Sequence, residues 1–362
     1  MPYSLRRAAI GAGVALPTRV SAAPVPPFCG VEDVIPPWAF NTPWEETVID
    51  TPGAPGLKTW VRRIGTKPKG GGLFGRKKNA GESTPLPIVV VHGGPGLPSR
   101  YLETLEFLGR YRELVFYDQS GCGTSLRASK GATPPLATAT PVAAVDFFCA
   151  ELEAVCQAQG LERYHVYAAG PWGGIVALSA AASGRIPGAA SLVLASPVRS
   201  YAGLVRDRTA ALAALEDAGA RAALRDGADG PAAAAAMEKY NLKYFSRKNS
   251  AGCLAVARNG FGADVSAVLM GGKYFEAAGA LAGWEADAAE LQRIKGLPTL
   301  LTRGEFDEVS RGSVAALRDE ALPWAEVAPD LPGAATCQHI DNWEPHLETV
   351  QAFVERVEGK TA

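Results

Sequence analysis

The sequence lacks an excess of charge of either sign. Its 362 residues include 36 Lys and Arg and 37 Asp and Glu, which leaves a formal net charge of −1. Nucleic acid is therefore not an expected partner, because polyanion binding relies on clustered positive charge. One short basic run, 76–78, lies in the glycine-rich segment 65–84, which is interpreted as a solvated hairpin insertion.

Cysteine is sparse, and its spacing has no metal signature. The six cysteines are Cys29, Cys122, Cys149, Cys156, Cys253 and Cys337. They form neither a CxxC pair nor a spacing typical of zinc sites, and they leave any disulfide connectivity open. The sequence therefore predicts no metal and no cofactor.

Long hydrophobic runs are also missing. The apolar stretch 8–16 is too short to span a bilayer, so no membrane partner is expected. Residues 1–30 carry Arg6, Arg7 and Arg19 and no acidic residue, which is typical of a targeting peptide. An organellar destination, mitochondrion or plastid, is favoured over secretion, and a disordered basic tail on a cytoplasmic protein is the alternative.

Strand and helix patterns alternate through the first half of the chain. The predicted elements are strands over 88–91, 114–118, 164–169 and 191–195, a helix from Pro141 that Gly160 ends, and a helix over 175–182. Val142, Val145, Cys149, Leu152 and Val155 are expected to form the packing face of the first helix. This rhythm predicts an α/β fold with a mostly parallel sheet and helices on both faces.

Acid and base candidates lie on loops near the C-terminus. A strand over 298–303 delivers Asp307 to the loop that follows it, and His339 comes later in the chain. The order glycine-rich corner, Asp, then His is the order of a catalytic triad in an α/β-hydrolase. His92, which ends a predicted buried strand, is interpreted as structural, and Cys122 as a steric choice in its glycine-flanked loop rather than a nucleophile.

Several motifs make the chain similar to the proline iminopeptidase family of α/β-hydrolases. They are His92-Gly93-Gly94-Pro95-Gly96, the segment 117–125 (YDQSGCGTS), the segment 304–308 (GEFDE), and His339 followed by Trp343-Glu344. The resemblance covers roughly 38–357. It implies a core over 38–198 and 288–358 and a helical cap over 199–287, whose alanine-rich sequence favours helix.

The family releases N-terminal proline from peptides with a Ser-Asp-His triad, and its cap carboxylates hold the substrate's free amino end. Carried over to this chain, the resemblance places the acid on Asp307 and the base on His339. It places the oxyanion hole on the backbone of Gly93, Gly94 and Trp172. A small molecule or short peptide is the expected occupant of a pocket under the cap, and the oligomeric state is not predicted.

The nucleophile of that triad is missing. No residue from Ala168 to Gly174 carries a hydroxyl, thiol or carboxylate. Aligning the family's Gly-x-Ser-Trp-Gly-Gly signature on the Trp-Gly-Gly at 172–174 puts Pro171 at the serine, and aligning from the preceding strand puts Gly170 there. A bare Gly-x-nucleophile-x-Gly pattern puts Trp172 there, and all three residues are inert.

The cap departs from the family as well. Where the family resembles Met-x-Gly-Pro-Asn-Glu-Phe, the segment 270–275 is MGGKYF, so the amine-binding glutamate is absent. Glu276 is near, but Lys273 beside it would repel an ammonium group. The resemblance therefore predicts a weak or inactive serine peptidase. The alternatives are a binding pseudoenzyme, hydrolysis by water that His339 activates, or proton abstraction by an Asp307–His339 dyad.

Overall fold

A computed structural model describes residues 44–65, 84–136, 140–227, 230–248 and 252–359. The predicted targeting peptide and most of the predicted hairpin insertion, 66–83, lie outside these residues. Among the residues that the structure describes, no helix is both long and apolar enough to cross a membrane.

One eight-stranded sheet organises the chain. Its strands are β1 (Trp44–Asp50), β2 (Lys58–Ile64), β3 (Ile88–Val91), β4 (Leu114–Asp118), β5 (Tyr164–Ala169), β6 (Ala189–Ala195), β7 (Thr299–Thr302) and β8 (Glu326–Val327). The spatial order is β1-β2-β4-β3-β5-β6-β7-β8, and every pair from β4 to β8 is parallel. The pairs β1–β2 and β2–β4 are antiparallel. The α/β fold that the sequence predicts is therefore confirmed.

Helices surround the sheet. They are α1 (Gly123–Ala128), α2 (Pro141–Ala158), α3 (Gly170–Ala182), α4 (Tyr201–Ala213), α5 (Ala218–Arg225), α6 (Gly230–Tyr244), α7 (Gly252–Asn259), α8 (Ala263–Met270), α9 (Ala288–Leu291), α10 (Arg311–Ala321), α11 (Gln338–Asp341) and α12 (Trp343–Val357). A 3-10 helix also spans Ser99–Arg110.

The central strands are buried on both faces. Alternate residues face opposite sides of a strand, so Val89 and Val91 pack with α2 and α3 while Ile88 and Val90 pack with α12 and the Ser99–Arg110 helix. This double burial explains why these strands are continuous apolar runs in the sequence rather than alternating ones.

Two helices differ from their predicted form. Helix α2 begins at Pro141, and the Thr140 side chain accepts a hydrogen bond from the amide of Ala143, as expected of a cap. Val142 does not belong to the packing face, because it lies in the first turn with 77% of its surface exposed. Helix α3 begins at Gly170 rather than Ile175, since the first turn accommodates Pro171, whose missing N–H has no role there.

The helices between β6 and β7 form a layer of their own. Helices α4 to α8 occupy 201–270, and no strand of the described residues lies among them. Tyr240 and Tyr244 pack with Leu212 and Leu215 of the same layer. The boundaries 199 and 287 of the predicted cap stay a prediction.

Candidate active site

The candidate site lies where four parallel strands end. β3, β5, β6 and β7 are neighbours in the sheet, so the loops that follow them meet at its carboxyl edge. The four loops carry the glycines at 93–94, the corner at 170–172, Ser196, and Asp307. The structure thus gathers most of the residues that the sequence singles out at one edge.

The corner after β5 bends at Gly170. Its φ is +65°, in the left-handed region that favours glycine, and it is the first residue of α3. Proline holds φ near −65°, so Pro171 cannot take this conformation and follows in the first helical turn with Trp172. A Cβ added to Gly170 would have only the Cα of Gly93 within reach, at 4.0 Å. The bend is therefore open toward the loop after β3 and carries no side chain.

One backbone amide of the loop after β3 already donates a hydrogen bond within the protein. The amide of Gly93 donates to the hydroxyl of Tyr101 at 2.9 Å. A Cβ at Gly93 would lie 2.8 Å from the same hydroxyl and 2.7 Å from the carbonyl of Ala169, so glycine is required for this approach. Gly94, whose φ is +123°, lines the adjoining cavity.

Trp172 packs in the core. It is 1% exposed, its ring lies edge-on to Phe148 at 5.1 Å between centroids, and its indole N–H donates to Oε1 of Gln119 at 2.7 Å. Its backbone amide belongs to the first helical turn, where amides have no partner within the helix. Trp172 can therefore contribute a backbone donor but no reactive side chain.

Asp307 is buried and fully bonded without a histidine. Its Oδ2 accepts from the Ser196 hydroxyl at 2.6 Å and from the amide of Gly304 at 3.1 Å. Its Oδ1 accepts from the Thr336 hydroxyl at 2.7 Å and from the amide of Val309 at 3.0 Å. Burial raises the pKa of Asp307 to about 6, although these four donors act in the opposite direction.

His339 has a different partner. It is 2% exposed, on the short helix α11, and its Nε2 lies 3.2 Å from the carbonyl oxygen of Tyr101. Because a carbonyl only accepts, Nε2 carries the proton and donates. Burial, with a smaller effect of His346, lowers the pKa of His339 to about 3. Both Asp307 and His339 are described by the structure, and no hydrogen bond or ion pair joins them.

Two partners of Asp307 are absent from the sequence prediction. Ser196 directly follows β6 and has a φ of +58°, and its hydroxyl also accepts from the Gln338 amide at 3.2 Å. Its place at the end of a predicted strand is a signal that could have found it. Thr336 has no such signal in the sequence.

His92 and Cys122 have structural surroundings. His92 is buried, its Nε2 accepts from the amide of Gln119 at 2.8 Å, and its Nδ1 donates to the carbonyl of Gly93 at 2.8 Å. Cys122 is 1% exposed, and its thiol donates to the carbonyl of Gln119. Burial raises the pKa of Cys122 well above its usual range, so the group stays a thiol at neutral pH.

A small cavity lies between the strand-end loops and the inserted helices. Its volume is about 10 Å³, close to the space that one water molecule needs, and Gly94, Pro171 and Trp172 line it from the sheet side. Arg208 on α4 lines it from the other side and forms a buried pair with Glu308 at 3.0 Å. The hydroxyl of Tyr274 donates to Glu308 at 2.6 Å.

Glu276 does not take the place of an amine-binding carboxylate at this cavity. It pairs with Lys273 at 2.9 Å, and the side chains of both residues are more than half exposed. Tyr274, from the same segment, is the residue that reaches the buried Arg208–Glu308 pair.

The mostly parallel sheet, with its glycine corner between β5 and α3, defines an α/β-hydrolase fold. The chain is similar to the proline iminopeptidase of Heyndrickxia coagulans, with 28% identity over 62% of this chain and 75% of that protein. It is 33% identical to the proline iminopeptidase of Lactobacillus delbrueckii subsp. lactis, over 33% of this chain and 39% of that protein. The solved structure of the Mycobacterium smegmatis proline iminopeptidase superposes with a TM-score of 0.71 at 24% identity, over 87% of this chain and 99% of that one.

No protein-family model matches the chain. The curated relatives and the structural neighbours nonetheless agree, and they support a proline iminopeptidase-like α/β-hydrolase. The resemblance that the sequence motifs indicate is thereby confirmed.

Proposed function

We propose that this protein is a non-hydrolytic member of its family that binds a small molecule or short peptide at the former active site. The main support for this proposal is the residue at the bend between β5 and α3. Gly170 has the strained conformation that the nucleophile of such an elbow adopts, and it has no side chain. Of the three candidate positions that the sequence leaves open, this geometry favours Gly170 over Pro171 and Trp172.

The backbone amides at the position of an oxyanion hole support the same proposal. In this fold the hole combines the amide of the residue after the nucleophile with an amide from the loop after β3. The residue after Gly170 is Pro171, which has no N–H, and the amide of Gly93 already donates to Tyr101. A tetrahedral intermediate at Gly170 would therefore lack the amide that follows the nucleophile and would have to compete with Tyr101 for the amide of Gly93; loss of one such donor costs roughly 100-fold to 1,000-fold in a comparable enzyme.

The acid and base supply a third argument. Asp307 bonds to Ser196, Thr336 and two amides, and His339 donates to a carbonyl. A histidine whose pKa is about 3 is a weak general base at neutral pH. The same geometry disfavours both alternatives that need His339 as a base, namely water activation and proton abstraction.

The test is a hydrolysis assay with L-proline 4-nitroanilide and short acyl 4-nitrophenyl esters. Wild-type protein and the His339→Ala variant are compared, and an active proline iminopeptidase is run in parallel. We expect the two proteins to give the same rate, at the level of an inert protein, because no step depends on His339. Turnover by the wild type that His339→Ala abolishes would overturn the proposal.

A further inference from the structure

A closed ring of four side-chain oxygens lies in the core between α2 and the sheet. Oε1 of Glu151, on α2, lies 2.5 Å from Oγ1 of Thr59 and 2.7 Å from Oγ of Ser120. Oγ1 of Thr51 lies 2.9 Å from the first hydroxyl and 3.0 Å from the second, which closes the ring. All four residues are buried, and Glu151 is 0% exposed. This oxygen ring joins α2, β2, the turn after β1 and the loop after β4.

A negative charge on Glu151 would have no cation beside it. Among the described residues, no lysine, arginine or histidine forms an ion pair with Glu151, and the nearby charge of Asp118 on β4 is also negative. Helix α3, which packs against α2, has no charged side chain. The cationic side chains of β2 pair elsewhere, Lys58 with Asp50, Arg62 with Glu106 and Arg63 with Glu113. A buried carboxylate without a partner of opposite charge is costly, so this environment favours the neutral acid.

The other titratable neighbours stay neutral near pH 7. They are Tyr117 on β4 and Cys122 in the loop after it, and burial raises the pKa of each well above its usual range. Burial also raises the pKa of Glu151 to about 7, although the donors Thr59 and Ser120 act in the opposite direction. The charge of the oxygen ring at neutral pH therefore depends on Glu151 itself.

The number of protons in the oxygen ring also favours the neutral acid. The ring has four contacts, and its three hydroxyls supply one proton each. An ionised Glu151 accepts from both Thr59 and Ser120, and Thr51 can then fill only one of its two contacts. A proton on Glu151 is the fourth donor, so every contact can be a hydrogen bond. The amide of Ser120 lies 2.9 Å from Oε1 and 3.2 Å from Oε2, so Oε2 can accept from it while Oε1 holds the proton.

The loop after β4 connects the oxygen ring with the candidate active site. Gln119 directly precedes Ser120, and its side-chain oxygen accepts from the indole N–H of Trp172 at 2.7 Å. The amide of Gln119 donates to Nε2 of His92 at 2.8 Å. A change in the ring therefore acts on the same loop that supports the corner between β5 and α3.

We propose that Glu151 binds a proton in the folded protein and that this proton closes the oxygen ring, which makes the ring a pH-sensitive latch between the turn after β1, α2 and the loop after β4. As the pH rises above neutral, Glu151 releases the proton to solvent and one contact of Thr51 opens. The oxygen ring lies outside the candidate active site, so the inference stands whether or not that site hydrolyses peptides.

Urea unfolding between about pH 5.5 and about pH 8.5 tests the latch. Wild-type protein is compared with Glu151→Gln, which is neutral at every pH. A folded-state pKa raised from 4.5 to about 7 stabilises the fold at low pH, and this contribution is lost as the pH rises to about 7. Each pH unit in that interval changes the folding equilibrium constant by up to tenfold, so wild type should lose on the order of 30-fold relative to Glu151→Gln.

The matched control is Glu153→Gln. It makes the same change on the same helix but outside the oxygen ring, at a partly exposed carboxylate that pairs with Arg185. This variant should keep the pH dependence of the wild type. Equal pH dependence in wild type and Glu151→Gln would overturn the proposal.

A second variant, Thr51→Val, tests the ring itself and does not require that Glu151→Gln folds. It removes the hydroxyl that closes the oxygen ring and leaves both hydroxyl donors to Glu151 in place. Ionisation of Glu151 then opens no contact, so the loss of stability should occur at a pH lower by roughly half a unit to one unit. A Thr51→Val profile whose midpoint matches that of the wild type would contradict the closed ring.

Discussion

Breaking the buried Arg208–Glu308 pair should cost a large part of the protein's stability. The two side chains are 4% and 2% exposed, and the guanidinium carbon lies 3.8 Å from the centroid of the Tyr274 ring. The variant Arg208→Met leaves the Glu308 carboxylate buried, with Tyr274 as its one remaining side-chain donor within the described part of the chain. Removing one partner of a buried pair costs about 3–5 kcal/mol in the free energy of unfolding.

The double variant Arg208→Met/Glu308→Met should be less damaging than the single one. It removes both charges and fills their volume with apolar side chains, which is often neutral for a buried pair. The Tyr274 hydroxyl then loses its acceptor, at about 1–3 kcal/mol. The two substitutions are therefore expected to be strongly non-additive, as residues in direct contact are.

Urea unfolding, followed by tryptophan fluorescence, measures these free energies. The control is Lys273→Met, which breaks an ion pair whose side chains are 60% and 63% exposed and should cost at most about 1 kcal/mol. Two results would contradict the buried pair as described. One is a loss of stability in Arg208→Met as small as that in Lys273→Met. The other is a loss in the double variant equal to the sum of the losses in Arg208→Met and Glu308→Met.

Three further outcomes follow from the same contacts. The Gly170→Ser variant should be about 1–2 kcal/mol less stable in urea unfolding, because φ is positive at this position, although a Cβ has room. The variant should gain no hydrolysis of proline 4-nitroanilide, and His339-dependent turnover would contradict this. Ser196→Ala should lose about 1–3 kcal/mol, because the hydroxyl donates to Asp307 at 2.6 Å, and an unchanged urea midpoint would refute that bond. Burial lowers the pKa of His346 from 6.5 to about 4. The part of the free energy of unfolding that depends on neutral His346 is therefore fully present above pH 6.5 and is lost as the pH falls toward 4. His346→Gln should accordingly reduce the loss of stability between pH 7.5 and pH 4.5 by about 2–3 kcal/mol, and an identical pH dependence would show that His346 titrates normally.

The sheet could be predicted from the sequence because its strands are buried on both faces. Runs such as 88–91 and 114–118 are continuous and β-branched or aromatic, and they match β3 and β4 residue for residue. The start of α2 was equally predictable, since Thr140 and Pro141 form a local capping signal.

The partners of the acid and the base could not be predicted. Chain order predicts Asp307 and His339 on loops at one edge of the sheet, whereas His339 lies on the short helix α11, and chain order does not fix the direction of either side chain. Ser196 bonds to Asp307 across 111 positions and Tyr101 bonds to His339 across 238, so both contacts are set by tertiary packing. Arg208 is similarly hidden, because an arginine in the charged run Arg206-Asp207-Arg208 resembles any solvated residue.

The proposal that this protein has no nucleophile is tested most directly by intact-protein mass spectrometry after incubation with a fluorophosphonate. The reagent phosphonylates an activated serine and would add its mass to the chain. The bend at Gly170 offers no such group, and no Ser, Thr or Cys of the described residues hydrogen bonds to His339. We expect wild-type protein to keep its unmodified mass. A stoichiometric adduct that His339→Ala abolishes would contradict the account and, by peptide mapping, reveal the true nucleophile.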